Sequence, residues 1–427
     1  MQNIIALRKN FCYNDANFIG KVLQLKLKFF SLIVIFTAMI ICGCSLGETQ
    51  ASVDSSKAEE IQKNVNKIRQ DSGAPLKDFG NAENVEVAAA VEVDPVDEIL
   101  NQMTLEEKIG QMMITGFHGT TTNDDVNYML NSYHIGGIIL FDRNMENKAQ
   151  VKTLTADLQA GRKIPLFVAI DEEGGRVARM KNDLTPPPSQ EEIGNTGDSS
   201  LAYAYANNIS QELKNIGVNI NFAPVADVGT SDTRSFAKDG NKVAEFVSQA
   251  AKGYESANLF YTLKHFPGIG LGKVDSHQDI STITEDRYIF DTVDLVPFKK
   301  VIGEQDNSKF MVMVGHLKYT AFDAENSATL SHAIITDLLR NELGFKGVIV
   351  TDDLDMGAVS KYHTQGELGA AAVKAGADIV LSCHEYEKQK QIYEGVLAAV
   401  QSGEISEDRI NDSVRRILKM KLELMNR

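Results

Sequence analysis

Tryptophan is absent from this sequence and cysteine is scarce, and both shortages exclude classes of protein. Three of the four cysteines, Cys12, Cys42 and Cys44, lie within the first 44 residues. That distribution argues against a disulfide framework, and there is no Cys-x-x-Cys pair of the kind that binds structural metals. Many long sugar-binding grooves stack their ligands on indole rings, so the lack of tryptophan disfavours a groove of that kind.

Positive charge is also in short supply. The sequence has 43 Lys and Arg residues against 58 Asp and Glu residues, which gives a formal net charge of −15. Such a surface repels phosphate polymers, so no nucleic-acid partner is expected. With 427 residues, of which 43% are hydrophobic, the chain can bury one large core or two medium ones. No motif indicates a metal or an organic cofactor, and we expect neither.

One long apolar run stands near the start of the sequence. Phe29–Gly43 is uncharged, follows Lys21, Lys26 and Lys28, and is typical of a secretory signal. Its end resembles the bacterial lipoprotein cleavage box, with lipid placed on Cys44. The run is shorter than the roughly 20 residues that a membrane span needs, although an uncleaved anchor is the alternative. Residues 1–44 are thus predicted to be a lipoprotein-type signal, and the protein an exported, cell-surface lipoprotein anchored to the bacterial membrane.

The rest of the chain falls into two parts of different composition. Residues 45–94 are rich in Ser, Ala, Glu, Asn and Asp, which predicts a flexible polar tether. From residue 95 onward, strand-like and helix-like patterns alternate, beginning with a capping box at Thr104 and Glu107. The eight strand-like runs are Met112–Phe117, Gly137–Phe141, Pro165–Ile170, Val218–Ala223, Leu259–Leu263, Phe310–Val314, Gly347–Thr351 and Asp378–Ser382.

Eight alternations of strand and helix predict an α/β fold, a (β/α)₈ TIM-like barrel that forms a single catalytic domain over residues 95–427. A doubly wound open sheet is the alternative, but no Gly-x-Gly-x-x-Gly motif opens the first unit. In a barrel of this type, the loops that follow the strands build the site.

The stretch after the fifth predicted strand carries the most chemistry. Lys264 and His265 come directly after Leu259–Leu263, and a loop with three glycines then leads to Asp275 and His277. In extended backbone, residues two apart point the same way, so Asp275 can hydrogen-bond His277. A carboxylate that orients an imidazole makes a proton-transfer device near neutral pH. An Asp-x-His pair alone could be a surface feature, but the attached Lys-His and glycine loop favour a functional site.

Polar residues also follow other predicted strands, and a barrel would gather them at one mouth. They are Asp171, Glu172, Glu173 and Arg176 after the third strand, Asp227 and Arg234 after the fourth, His316 after the sixth, and Asp352, Asp353 and Asp355 after the seventh. Each has a structural explanation. Asp353 or Asp355 could cap the helix near Met356, and His316 could be a second-layer histidine as readily as a ligand contact. The glutamates could form rim ion pairs, joining Glu172 or Glu173 to Arg176 or Arg179.

Several motifs together resemble glycoside hydrolase family 3, in its β-N-acetylhexosaminidase branch. They are Lys-His-Phe-Pro-Gly-x-Gly with Asp-Ser-His, Ile-Asp-x-Glu-Gly-Gly-Arg-Val upstream, and Gly-Val-Ile-Val-Thr-Asp-Asp-Leu-x-Met downstream. The resemblance covers the whole barrel from about Met103 and none of the tether. It implies a retaining, exo-acting enzyme that removes terminal β-linked N-acetylglucosamine from muropeptides or chitooligosaccharides.

The resemblance also implies roles for individual residues. Asp352 is the implied nucleophile, and His277, oriented by Asp275, the implied acid and base. The implied sugar contacts are Asp171, Arg234, Lys264 and His265. His316 and Asp353 remain possible site residues.

Three alternatives stay open from the sequence. A phosphorylase of this branch would use phosphate in place of water and release N-acetylglucosamine 1-phosphate. A substrate-assisted hexosaminidase would use an Asp-Glu pair such as Asp171 and Glu172, leaving Asp275 and His277 without a role. A non-catalytic sugar-binding lipoprotein would not need Asp352, His277 and Asp275, which are all present. The oligomeric state is open, with a monomer favoured.

Overall fold

The computed structural model of the chain describes residues 94–230, 232–270, 281–361 and 363–425. The predicted signal, Cys44 and nearly all of the predicted tether lie outside these residues. So do Asp275 and His277. Within the described parts of the chain, no helix is both long enough and apolar enough to cross a bilayer.

Eight parallel strands close into a barrel, which confirms the predicted fold. In chain order the strands of the barrel are β1 (Met113–Thr115), β2 (Gly137–Leu140), β3 (Phe167–Ile170), β4 (Ile220–Asn221), β5 (Phe260–Phe266), β7 (Phe310–Val314), β10 (Val348–Asp353) and β11 (Ile379–Ser382). Each lies in or overlaps one of the eight predicted runs. The barrel closes where β1 pairs with both β2 and β11, with Thr115 opposite Ser382.

The strands form because their side chains are apolar on both faces, as a parallel sheet covered by helices requires. Every residue of β2, β3, β5 and β7 is buried. Gly137 shows how tight the barrel is, because a Cβ there would lie 2.9 Å from both Ile114 Cγ1 and Phe167 Cβ. A side chain at this position would push β1 and β3 apart.

Helices cover the outside of the barrel. They are α1 (Pro95–Leu100), α2 (Leu105–Gln111), α3 (Asp124–Ser132), α4 (Lys148–Gln159), α5 (Gln190–Asn195), α6 (Ser200–Asn215), α7 (Gly240–Ser256), α8 (Arg287–Ile289), α9 (Val296–Glu304), α10 (Gly357–Ser360), α11 (Gln365–Ala375), α12 (Tyr386–Gln401) and α13 (Glu407–Met425). Short 3₁₀ turns span Asp142–Asn144 and Ala328–Leu330, and π-helical segments span Phe290–Asp294 and Ala333–Glu342. The predicted capping box of α2 is present, with Thr104 and Glu107 bonded reciprocally.

A small second sheet lies outside the barrel. It contains β6 (Thr282–Ile283), β8 (Lys318–Tyr319) and β9 (Asp323–Ser327), in the order β6-β8-β9. The β6–β8 pair is parallel and the β8–β9 pair is antiparallel. Tyr319 ties this sheet to the loop after β5, because its hydroxyl donates to the carbonyl of Gly268 at 2.8 Å.

A buried ion cluster lies where β11 begins, at the amino end of the barrel. Asp378 is fully buried and accepts from Arg340 at 2.6 Å, Arg416 at 3.0 Å and Ser413 Oγ at 2.6 Å. The backbone N–H of Ile349 also donates to its Oδ2 at 3.0 Å. This carboxylate therefore joins the start of two strands to α13.

Lys421, also on α13, is a second buried charge at this end. Its Nζ donates to Gln111 Oε1 at 2.7 Å and to the carbonyl of Gly136 at 2.6 Å, and it lies 4.8 Å from the centre of the Phe167 ring. No carboxylate in the described part of the chain pairs with it, and burial lowers the pKa of Lys421 to about 7.

Candidate active site

A cavity of about 450 Å³ opens at the carboxyl ends of the barrel strands. This is the end at which barrels of this type carry their sites. All seven predicted site residues that the structure describes line it: Asp171, Arg234, Lys264, His265, His316, Asp352 and Asp353. The structure therefore brings together residues that are up to 182 positions apart in the sequence, from Asp171 to Asp353.

Lys264 lies between two carboxylates. Its Nζ is 2.6 Å from Asp171 Oδ1 and 2.6 Å from Glu173 Oε1. The lysine is held by its backbone as well, because it lies within β5, which continues to Phe266 instead of ending at Leu263 as predicted. Burial would lower the pKa of Lys264, but the two carboxylates raise it above its ordinary value, so the ammonium stays charged.

Arg234 forms a bidentate ion pair with Glu173. Its Nε and Nη2 donate to the two carboxylate oxygens of Glu173 at 2.8 Å each. Burial would raise the pKa of Glu173, but Lys264 and Arg234 hold it well below its ordinary range. Glu173 therefore does not form the rim ion pair with Arg176 or Arg179 that the sequence left open.

Arg176 and Arg179, the candidate partners of the glutamates, make other ion pairs. Arg176 pairs with Asp232, and Arg179 Nη1 lies 3.2 Å from Asp142 Oδ2. Neither arginine forms an ion pair with Glu172. Burial separates them, because both glutamates are buried while the Arg176 side chain is exposed.

His265 is fixed by both ring nitrogens. Nδ1 lies 2.7 Å from Asp227 Oδ2, and Nε2 lies 3.4 Å from Arg234 Nη2. Asp227 is fully buried and also accepts the backbone N–H groups of His265 and Ile269. One ring nitrogen thus faces a carboxylate and the other a guanidinium, which fixes the orientation of the imidazole.

Asp352 differs from the other carboxylates around the cavity. Its Oδ1 accepts the backbone N–H of Asp353 at 2.8 Å, and no described residue donates to Oδ2. Burial would raise the pKa of Asp352, but the imidazoles of His265 and His316 and this backbone bond lower it below its ordinary value. Asp352 is thus an anion with an oxygen available for chemistry.

Asp353 and Asp355 have their oxygens committed to the protein. Asp353 Oδ1 accepts the backbone N–H groups of Asp355 and Cys383 at 3.1 Å each, and its Oδ2 lies 3.3 Å from His384 Nε2. Asp355 accepts from Ser382 Oγ and from the backbone N–H of His384. Neither caps the helix near Met356, which was the structural explanation left open by the sequence, since α10 has no side-chain cap. Their carboxylate oxygens instead join the loop after β10 to the loop after β11, because they accept the backbone N–H groups of Cys383 and His384.

His316 is buried and bonded at both nitrogens. Nδ1 lies 2.7 Å from Thr329 Oγ1 and Nε2 lies 2.8 Å from the carbonyl of Asp353. It therefore supports the backbone beside Asp352 while one side of it faces the cavity.

The positioning roles of Glu173 and Asp227 were not predicted from the sequence, although each residue holds a predicted sugar contact in place. A signal for Glu173 was available, because residues two apart in extended backbone share a face and Asp171 was already placed there. No local signal pairs Asp227 with His265, which is 38 residues away.

Asp275 and His277 lie outside the described residues, so their predicted roles stay predictions. The described part of their loop ends at Gly270, where a Cβ would lie 1.8 Å from the carbonyl of Val228. Among the residues that the structure describes, no group of three or more His, Cys, Asp or Glu side chains could hold a metal ion.

A closed (β/α)₈ barrel with an anionic carboxylate among fixed cations at its carboxyl end is an architecture of glycoside-cleaving enzymes. The model of the glycosyl hydrolase family 3 N-terminal domain matches residues 104–420. The chain belongs to this family.

Similar proteins carry related names. The chain is 34% identical over 338 residues to "Beta-hexosaminidase A" of Pseudoalteromonas piscicida, covering 71% of this chain and 56% of that protein. It is 34% identical over 288 residues to "Beta-hexosaminidase" of Nitrosomonas eutropha, covering 65% of this chain and 81% of the relative. The solved structure of a family 3 β-N-acetylglucosaminidase from Paenibacillus sp. is 40% identical, with a TM-score of 0.73, covering 75% of this chain and 62% of that one. The chain thus spans little more than half the length of the first of these relatives.

Proposed function

We propose that the protein is a retaining, exo-acting β-N-acetylhexosaminidase that releases terminal, non-reducing, β-linked N-acetylglucosamine. One observation carries the proposal: Asp352 is an anion at the cavity with one oxygen to which no described residue donates. Both oxygens of the neighbouring Asp171, Glu173, Asp353 and Asp355, in contrast, lie within 4.0 Å of a protein donor or cation. The similar proteins named β-hexosaminidase and β-N-acetylglucosaminidase support the choice of sugar.

In the proposed reaction, Asp352 attacks the anomeric carbon and forms a covalent glycosyl-enzyme. The transition state has oxocarbenium character, so a carboxylate below the ring stabilises the charge that develops there. His277, oriented by Asp275, gives its proton to the leaving oxygen as the glycosidic bond breaks. It then takes a proton from the water that releases the sugar, with its configuration retained.

The bonded residues around Asp352 suit the recognition of one sugar ring. Asp171, Lys264, Arg234 and His265 present fixed acceptors and donors, and each is held by another protein group, so little ordering is needed on binding. A cavity of about 450 Å³ is near the small end of ligand pockets, in keeping with an exo-acting enzyme.

The proposal is tested by incubating the full-chain protein with p-nitrophenyl N-acetyl-β-glucosaminide, in the presence and absence of phosphate, and measuring cleavage. We expect turnover that gives free N-acetylglucosamine, and Asp352→Asn should lower kcat by at least about 10³-fold because the nucleophile is lost. Asp353→Asn is the matched control and should keep measurable turnover, because Asp353 serves the backbone. If the main product is N-acetylglucosamine 1-phosphate, the protein is a phosphorylase instead. If it binds the sugar without turnover, it is a non-catalytic protein.

A series of aryl leaving groups tests the acid. His277→Ala should slow poor leaving groups by about 10²- to 10⁴-fold, and should spare good ones that need no proton. An equal loss across the series would argue against His277 as the acid.

We propose that the substrates are muropeptides of the cell wall. We also propose that the enzyme is exported and anchored to the membrane through lipid on Cys44, which places it near this substrate. The support is the apolar run that ends at this cysteine. Cleavage of chitobiose without cleavage of muropeptides would contradict the substrate. Cys44→Ser should move the protein from the membrane fraction to the soluble fraction, and an unchanged distribution would contradict lipid anchoring.

A further inference from the structure

Glu172 is a buried carboxyl group that the proposed reaction does not use. It lies between Asp171 and Glu173 in the sequence, is fully buried, and does not line the cavity. Its Oε2 accepts the backbone N–H of Arg179 at 2.7 Å, and its Oε1 is buried without a hydrogen-bond partner among the residues that the structure describes. A carboxylate in this position would be desolvated with one oxygen unbonded, which is costly.

The backbone of Glu172 is also fixed. Its N–H donates to Asn221 Oδ1 and its carbonyl accepts from Asn221 Nδ2, at 2.9 Å each. Asn221 in turn lies 3.3 Å from the hydroxyl of Tyr254 on α7. The residue is thus anchored to β4 through its main chain, and its side chain reaches forward to the far end of its own loop.

That loop runs from Asp171 to Arg179 and contains a tight turn. Gly174 and Gly175 have φ values of 99° and 56°, and a Cβ on Gly174 would lie 2.5 Å from the carbonyl of Pro188. The Glu172–Arg179 bond joins the two ends of the turn, and the neighbours of Glu172 in the sequence are the two residues that hold Lys264. Any movement of this base displaces Asp171 and Glu173 relative to β5.

Several charged and titratable groups lie around Glu172. On its own loop these are Asp171, Glu173 and the Arg179 guanidinium, on the 3₁₀ turn after β2 Asp142, and on α7 Tyr254. Burial is the largest effect and the carboxylates add to it, whereas the backbone N–H and the guanidinium of Arg179 oppose it. Together they raise the pKa of Glu172 to about 8.

We propose that Glu172 is a positioning residue that works as a neutral acid, holding the loop from Asp171 to Arg179 in register with the sugar contacts. Its ionisation places an anion with an unbonded oxygen beneath the cavity, and the loop must then shift to bring in a donor. Because Asp171 and Glu173 move with the loop, substrate binding weakens before the chemical step does. This inference rests on the proposed function for its effect on catalysis, but not for its effect on stability.

Glu172→Gln tests the proposal, because an amide keeps the shape of the neutral acid and cannot ionise. For the wild type, we expect kcat/KM to fall above about pH 8, mainly through a rise in KM. Glu172→Gln should have activity of the same order at pH 6 and should keep it to higher pH. Glu172→Ala, which has no group to accept the Arg179 N–H, should have a raised KM at every pH. An alkaline limb unchanged in Glu172→Gln overturns the proposal.

Thermal unfolding supplies a readout that does not depend on activity. The folded pKa of about 8 lies above the value of about 4.3 in an unfolded chain, so the stability that the neutral acid contributes is complete below about pH 4 and is lost as pH rises through about 8. The Tm of Glu172→Gln minus that of the wild type should therefore increase between about pH 5 and pH 8 and then level off. Exposed Glu191 on α5 provides the control, since Glu191→Gln should leave the Tm profile unchanged. A difference that is independent of pH overturns the proposal, whether or not the protein cleaves glycosides.

Discussion

Both ends of the barrel contain buried charge, but they use it differently. At the amino end, Asp378 has both oxygens bonded by arginine, serine and backbone donors, and nothing is left for a ligand. At the carboxyl end, Asp352 keeps one oxygen without a described donor beside a cavity. The same residue type therefore closes the fold at one end and offers a reactive group at the other.

The difference shows what a cation contributes in each setting. Arg340 and Arg416 pair with a carboxylate that joins strands to α13, so they compensate for burial. Lys264 and Arg234 pair with Glu173, which does not react, and they thereby stay charged at the edge of the cavity. Ion pairs of similar length support stability at one end and preorganisation at the other.

The largest effect on stability is expected at the amino end. Asp378→Ala would leave three arginines around a buried site without their carboxylate, which should cost about 3–5 kcal/mol. Denaturant unfolding monitored by circular dichroism measures this. A loss below about 1 kcal/mol would mean that the cluster does not hold the end of the barrel.

Glu173→Gln removes a buried carboxylate charge at the carboxyl end. We expect this change to lower catalytic activity more than it lowers the free energy of unfolding. Lys264 keeps Asp171 as a partner, and Arg234 keeps Asp232 at 3.9 Å. We expect kcat/KM to fall about 10- to 100-fold, as the loss of charged hydrogen bonds predicts, with a smaller loss of stability than for Asp378→Ala. Unfolding as severe as that of Asp378→Ala would erase the proposed difference between the two ends.

Lys421 gives the amino end a pH dependence of its own. Its folded pKa of about 7 lies below the unfolded value of about 10.4, so the folded protein binds fewer protons between these values. Its contribution to stability should therefore rise as pH increases from about 7 to about 10. Lys421→Met should remove this rise from the Tm profile, whereas Lys419→Met, at an exposed position of α13, should not.

The smallest effect is expected at the surface. Asp97 and Arg415 pair at 2.9 Å between α1 and α13, with both side chains at least 40% exposed. Solvent screens such pairs, so Asp97→Ala should cost less than about 1 kcal/mol. The same denaturant series measures it, and a cost comparable to that of Asp378→Ala would show that burial is not what separates the two pairs.

The barrel could be predicted from the sequence because each strand carries its own signal. Runs such as Phe310–Val314 are apolar on both faces, and the structure places that strand at the predicted bounds. The strand at 260–266 was predicted too short, since Lys264 and His265 are polar and pattern alone assigns them to a loop. Inside the barrel their polar groups are paired, so the strand continues through them.

The site could be predicted as a set of residues but not as a network. Glu173 bonds Arg234 across 61 residues, and Asp227 bonds His265 across 38. Partners at such separations depend on which loops become neighbours when the barrel closes. The rim pairs that the sequence left open join residues that are near in sequence, and the structure pairs these arginines with Asp232 and Asp142 instead.

The bonds of Lys421 also determine when the fold can be completed during synthesis. This residue reaches Gln111, which the ribosome made 310 residues earlier, and β1 gains its second neighbour only when β11 appears. Until β11 has left the ribosome, the nascent chain carries an unpaired strand edge, and until α13 has left it, a bare barrel end, and both invite association with other chains. Translation that stalls before α13 should therefore yield a polypeptide that depends on chaperones or proteases.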